Sequence, residues 1–412
     1  MNPERPLRIA HVTNYQVPGY GYEELALARV QHRLGHDVVI VTSNYLHPRG
    51  AYAVLRERFP DRKIAPREEI EDGVRILRLP SVEFGTRTWI RGLERVLIGL
   101  KPDVVHCHNL LVFHPLRLAL LKLTNRLSVG LVVDDHTLYS AMRRGVRGRA
   151  FYFAYRNFLH PLLASQVDSF CAATVETREY LIKHCGVRGP IRVMPLGVDA
   201  DAFSPRESQR LHTRAELGFQ QDDFVVLYTG KVVPSKGIAL LVQAAIRLIE
   251  SGQPIKVLIV GDSEPRYSAI LREQVVKAGK QRYFQFLPSV PHDELAGFYS
   301  AADIAVWPGV ETMAVYEAMA TAVPVIVPES SGYARLIDEK AGVTFRPNDA
   351  VSLADSIDRL RTSSVRQHLG AGGRHLVDQE FSWRHAAQRY LAEYRAVLGG
   401  PAAAQVADPA RT

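Results

Sequence analysis

Short apolar runs rich in Val, Ile and Leu alternate with helical periodicity over almost the whole chain, and this alternation constrains the fold more than any single motif. It is the pattern of parallel strands buried on both faces and joined by crossover helices. The first series comprises LRIAHV (7 to 12), DVVIVTS (37 to 43), VRILRLP (74 to 80), DVVHCH (103 to 108), VGLVVD (129 to 134), SFCAAT (169 to 174) and IRVMPL (191 to 196). A second begins at DFVVLYTG (223 to 230) and runs through IKVLIVG (255 to 261), FQFLP (284 to 288), IAVWP (304 to 308), PVIVP (324 to 328) and GVTFRP (342 to 347). One open sheet seldom takes so many strands, and 412 residues suffice for more than one core, so two similar doubly wound α/β domains are expected.

The boundary is expected in GVDADAFSPRES (197 to 208), which carries turn formers and no periodicity. This gives an N-terminal Rossmann-like domain over 1–198 and a C-terminal one over 199–380. FSWRHAAQRYLAEYRAVLGG then reads as an amphipathic helix over 381–398, offering Phe381, Trp383 and Tyr390 for packing back on the N-terminal domain, and a disordered tail over 399–412.

Three cysteines without CxxC spacing give neither a disulfide framework nor a zinc knuckle, which fits a reducing cytoplasm. No apolar run reaches the ~18 residues of a membrane span, and MNPERPLRIAHV lacks the layout of a signal peptide. The net charge of +8 is unevenly placed. Residues 1 to 200 hold 28 Lys and Arg against 19 Asp and Glu, the rest 23 against 24, so an anionic partner would meet the first half.

Four loops could carry chemistry. VPGYGYEE (17 to 24) follows the first strand, and its glycines Gly19 and Gly21 would let backbone approach a ligand, although GxGxxG spacing is absent. TGKVVPSKG (229 to 237) sets Lys231 and Lys236 between Gly230 and Gly237 at a strand end, which suits a diphosphate but is not a Walker A loop. In VWPGVETMAVYEAMA (306 to 320) a helix starting near Thr312 would place Glu311 at its mouth and Glu317 in its second turn, where a carboxylate can accept ribose hydroxyls. VVDDHTLY (132 to 139) ends a strand on Asp134, Asp135 and His136 with no paired Ser or Cys nucleophile and no zinc spacing, while His106 and His108 are expected on opposite sides of their own strand.

Taken together, LARVQHRLGHDVVIVTS, KPDVVHCHN, MPLGVDADAFSP, LYTGKVVPSKG, IVGDSE and YEAMATAVPVIVPESSG resemble, in order over about residues 6 to 397, the retaining glycosyltransferase family called GT4. The resemblance implies the GT-B fold, two Rossmann-like doubly wound domains facing a cleft, the second holding a nucleotide-diphosphate sugar and the first a hydroxyl acceptor. It implies that Lys231 and Lys236, with Gly230, hold the donor diphosphate, Lys231 standing where many members carry Arg. Glu317 matches the glutamate that binds the ribose, His136 a histidine that contacts the transferred sugar, and Gly19 or Gly21 the N-terminal glycine loop. The family's paired glutamates would put the first at Gly309, which is not acidic. Either Glu311, six before Glu317, substitutes as a catalytic carboxylate, or that group is absent. Thr312, Met313 and Ala314 occupy the loop that faces sugar and phosphate, without the usual Phe-Gly pair.

The activity so implied is retaining transfer of a sugar to a glycan, glycolipid or small-molecule hydroxyl, with no cofactor and no metal. A GT-B nucleotide-sugar epimerase is the alternative, and a nucleic-acid-binding protein a weaker one, because RRGVRGR (143 to 149) is a single short cluster without stacking aromatics in RNA-module order. The same stretch, with Phe151, Tyr152, Phe153, Tyr155 and Phe158, offers a peripheral membrane contact. Against that, Phe151, Tyr155 and Phe158 recur at helical spacing and are expected to form a core-facing stripe.

Overall fold

The structure is a computed structural model that describes residues 5–18, 23–49, 53–137, 142, 145–309 and 312–399. The chain forms two compact units, divided at Gly197 and again at Trp383, so that the segment after Ser382 returns to the first unit.

The first unit is built on an eight-stranded sheet. Its strands are β1 (Arg8–Val12), β2 (Asp37–Ser43), β3 (Arg67–Glu71), β4 (Val74–Leu79), β7 (Val104–His108), β8 (Gly130–Asp135), β9 (Ser169–Ala172) and β10 (Ile191–Val193), while β5 (Ser81–Phe84) and β6 (Arg87–Ile90) form a separate hairpin. The order is β10-β9-β8-β7-β1-β2-β4-β3, parallel except for β3. Strands β7 and β8 are buried along their whole length, which is why their sequences read as unbroken apolar runs. Strand β3, REEIE, lies at the sheet edge with mostly exposed residues and gives no such signal. Order reverses between β1 and β7, the kind of switch point at which an open α/β sheet leaves a crevice beyond its carboxyl ends.

Helix Trp383–Val397 packs on this sheet, burying Ala387, Tyr390, Leu391 and Tyr394 against Ile9, Leu25, Val104 and Val132. Contact is close enough that a side chain on Gly130 would start 2.7 Å from Val397 Cγ1. The aromatic segment is a helix, Gly145–Ala154, interrupted by a π-helical turn at Tyr155–Leu159. The wider turn breaks the expected stripe: Tyr152 and Tyr155 are buried, whereas Phe158 is 66% exposed and Phe153 65%. Among the described residues no helix is long and apolar enough to cross a membrane.

The second unit has six parallel strands, β11 (Val225–Thr229), β12 (Lys256–Val260), β13 (Phe284–Leu287), β14 (Ile304–Val306), β15 (Val325–Pro328) and β16 (Gly342–Phe345), in the order β13-β12-β11-β14-β15-β16. Its switch point lies between β11 and β14. Trp307 Nε1 donates to Thr229 O at 2.9 Å and ties the ends of those two strands together.

Candidate active site

Each unit gathers its chemistry-bearing residues at the carboxyl ends of the strands beside its switch point. In the first unit the parallel register sets His11 beside His106 and His108 beside Asp134. His106 and His108 therefore share a face, with ring centroids 4.3 Å apart, against the expectation that they would diverge. The reason is the strand period of two, which returns every second side chain to the same side.

These buried groups close into a ring. His108 Nδ1 donates to Asp134 Oδ2 at 2.9 Å, and His108 Nε2 faces His11 Nδ1 at 2.9 Å. His11 Nε2 meets Gln31 Oε1 at 2.7 Å, Gln31 Nε2 donates to the Tyr394 hydroxyl at 3.4 Å, and that hydroxyl meets His106 Nδ1 at 2.7 Å. His106 Nε2 completes the circuit 3.1 Å from Asp134 Oδ2, in polar contact but not aligned as a hydrogen bond. The proton positions are assigned from the Gln31 amide orientation. An amide oxygen only accepts, so His11 must donate at Nε2 and accept at Nδ1. His108 then donates from both nitrogens, as an imidazolium against the Asp134 carboxylate.

The electrostatics agree with that assignment. Burial opposes charge on Asp134, yet His108 and His136 hold its carboxyl well below the usual range. Burial likewise works against His108, and Asp134 raises it above the ordinary imidazole value. For His106 and His11 the pull of Asp134 is outweighed: burial and the His108 charge push His106 down to about 4 and His11 well below normal. His11, His106 and His108, and separately His108, Asp134 and His136, are close enough together to hold a metal ion. In the first trio, however, the His11 and His108 nitrogens that face each other are engaged in a hydrogen bond with one another.

His136 directly follows β8, with its Nε2 2.9 Å from Glu23 Oε1 and 3.5 Å from Asp134 Oδ1. Neither contact is aligned as a hydrogen bond, and both ring nitrogens are buried without a hydrogen-bond partner. Burial disfavours its charge, but Glu23 and Asp134 hold the imidazole well above its ordinary value. It lines a cavity of about 460 Å³ together with Thr13, Glu23, Glu24, Arg87 and Asn109. Gly19, Gly21, Arg143 and Arg144 lie outside the described residues.

In the second unit, the loop after β11 presses against the segment after β14. A Cβ on Gly309 would lie 2.5 Å from Ser235 O and 2.6 Å from the Lys236 carbonyl carbon, so position 309 has no room for a side chain. That close approach carries the Lys231–Lys236 loop beside the stretch leading to Glu317. The helix there is Ala314–Ala320, starting two residues later than expected, so Glu317 sits in its first turn and Thr312 and Met313 precede it. Glu317 Oε1 is 2.8 Å from His292 Nε2, and Oε2 accepts from the Tyr299 hydroxyl at 2.8 Å. Burial opposes charge on His292, but its hydrogen bond to Glu317 raises it above the ordinary imidazole value. Glu311 lies outside the described residues.

Sequence reasoning missed His292, Tyr299, His11 and Asp134 as partners of the expected groups. Only tertiary contact relates them; the one relation within reach of the sequence was the shared face of His106 and His108, which the strand period of two gives.

Two Rossmann-like doubly wound units are the architecture of the GT-B glycosyltransferases. Residues 209–375 match the model of glycosyl transferases group 1, and residues 25–202 that of Glycosyltransferase Family 4. A D-inositol 3-phosphate glycosyltransferase of Geodermatophilus obscurus is 30% identical over 328 residues, 73% of this chain and 68% of that protein. The enzyme of the same name from Nocardia farcinica is 29% identical over 294 residues, 66% of this chain and 63% of its own length. The chain thus spans less than two thirds of that relative. The crystal structure of Anabaena HepE in complex with UDP shares the fold, with a TM-score of 0.71 at 17% identity, over 95% of this chain and 100% of that one. The chain belongs to the group 1, family 4 glycosyltransferases.

Proposed function

We propose that the protein moves a sugar, with retention, from a nucleotide-diphosphate sugar held by the second unit to a hydroxyl acceptor held in the cavity of the first. The observation that carries the donor assignment is Glu317, whose two oxygens are oriented by His292 and Tyr299 next to a lysine loop packed on Gly309. Each oxygen keeps a lone pair for a ribose hydroxyl. Lys231 and Lys236 neutralise the leaving diphosphate, and this field makes a metal ion dispensable. His136, held as an imidazolium, donates a hydrogen bond to the transferred sugar or the acceptor and cannot serve as a base in that state. The named relatives are transferases, which supports transfer over epimerisation.

The test is a thermal-shift panel of nucleotide-diphosphate sugars, including UDP-glucose and GDP-mannose. A ligand at 100 times its Kd stabilises by about 2.7 kcal/mol. No stabilisation by any of them would remove the donor assignment.

Our reading includes a peripheral membrane contact from the cytoplasmic side. Support comes from Val146, Phe153 and Phe158, 72%, 65% and 66% exposed, beside the exposed residues Arg147, Arg149 and Arg156. Each basic side chain near an anionic surface contributes about 1 kcal/mol. Sedimentation with anionic vesicles that fades with salt is the expected result, and equal recovery in the supernatant with or without vesicles at low salt would exclude the contact.

A further inference from the structure

Glu24 is a buried carboxylate with half of its hydrogen-bonding capacity unused. It is the second residue of helix Glu23–Arg33 and is only 5% exposed. Its Oε1 accepts from the Thr13 hydroxyl at 3.0 Å, while Oε2 has neither solvent nor a partner. Two cations near it among the described residues are committed elsewhere: His136 lies against Glu23 at 2.9 Å and His108 against Asp134 at 2.9 Å. Burial, and then the neighbouring Glu23 charge, raise the Glu24 carboxyl above its usual range. An unsatisfied buried carboxylate oxygen works against folding, and it is a group that a ligand can complete.

Glu24 is one of the residues lining the 460 Å³ cavity, together with His136, Asn109 and Thr13, and Oε2 is buried behind that lining; the volume is in the range of small-molecule sites. The same wall carries Glu23 and Asp135, so among the described lining residues three carboxylates face two basic residues, Arg87 and His136, the latter already matched by Glu23. We infer that Glu24 is an acceptor-binding residue that takes an O–H or N–H donor of a polyhydroxylated ring through Oε2, and that it selects rings free of phosphate at that end. The inference rests on the first-unit cavity being the acceptor site. A hydroxyl or ammonium group satisfies Oε2, whereas a phosphate there would bring another anion against Glu23 and Glu24.

The experiment uses the full chain and three probes: myo-inositol, 2-deoxystreptamine and inositol 3-phosphate. Their Kd values are measured by saturation-transfer NMR for wild type, Glu24→Gln and Glu24→Leu, alongside melting temperature and affinity for UDP and GDP. The wild type should bind at least one unphosphorylated ring more tightly than the phosphate. Glu24→Leu should weaken that binding tenfold or more and Glu24→Gln by less, with nucleotide affinity unchanged and the melting temperature equal or higher. A merely structural role for Glu24 would lower the melting temperature, and that result overturns the inference. So does unchanged ring binding in both variants, a preference for inositol 3-phosphate, or failure of every unphosphorylated probe to bind the wild type. Failure of both UDP and GDP to bind wild type would instead count against the donor assignment, so the two readings fail separately.

Discussion

The Tyr394 hydroxyl, in helix Trp383–Val397, meets His106 Nδ1 at 2.7 Å on a strand 288 residues earlier, and with Gln31 it closes the buried ring that ends on Asp134. Tyr394→Phe removes one oxygen and strands two buried groups, His106 Nδ1 and Gln31 Nε2. Stability should fall by about 1 to 3 kcal/mol in urea unfolding. A loss of less than 0.5 kcal/mol, the scale of an ordinary surface substitution, would show that the ring contributes nothing to holding the terminal helix.

The His108–Asp134 pair sets a pH dependence of known sign. Asp134 is depressed, so its contribution is present above the unfolded carboxylate value and is lost only as pH falls toward its low folded value. His108 is raised, so its contribution is complete below about 6.5 and is lost as pH rises through the higher folded value. Wild-type stability should decline on the alkaline side of neutrality. His108→Gln should flatten that decline, leaving the part due to His136 and His292, which are raised in the same direction. The same substitution should cost roughly 3 to 5 kcal/mol near pH 6, because it leaves Asp134 as a buried charge without its partner. An unaltered alkaline slope would show that His108 is not the imidazolium.

Lys236→Ala should leave the fold intact and reduce donor turnover by ten- to hundredfold, the worth of one charge-assisted hydrogen bond of roughly 1.5 to 3 kcal/mol. Steady-state kinetics with the best donor provide the measurement. Unchanged donor kinetics would displace the diphosphate from this loop. Activity should also persist in EDTA, and a complete loss restored by metal would contradict the lysine-based account.

Glu317→Gln should weaken every nucleotide-sugar donor by a similar factor, on the order of tenfold, since the ribose is common to all of them. If one donor alone suffers, Glu317 contacts the sugar. His292→Ala should act in the same direction but less strongly, because it removes one of two groups that orient the carboxylate.

Much of this protein was legible from its residues in order. Parallel strands buried on both faces demand unbroken apolar runs, so β1, β2, β7, β8, β11 and β12 announced themselves. The short edge strand β3, with its sequence REEIE, did not, because a solvated edge needs no apolar pattern. Lys231, Lys236 and Glu317 could be singled out as candidates from the sequence because each lies within a short motif of its own loop. Phe158 was misplaced because periodicity assumes 3.6 residues per turn and the chain inserts a π turn there.

Local chemistry along the chain determined the alternation of strands and helices, the two-unit plan and the family. Tertiary structure alone decided which histidine carries the proton, which carboxylate is left without a partner, and that Tyr394 reaches His106. Those properties depend on desolvation and on contacts between groups far apart in sequence. Both act only after the sheet has brought β1, β7 and β8 side by side, and no window of sequence contains them.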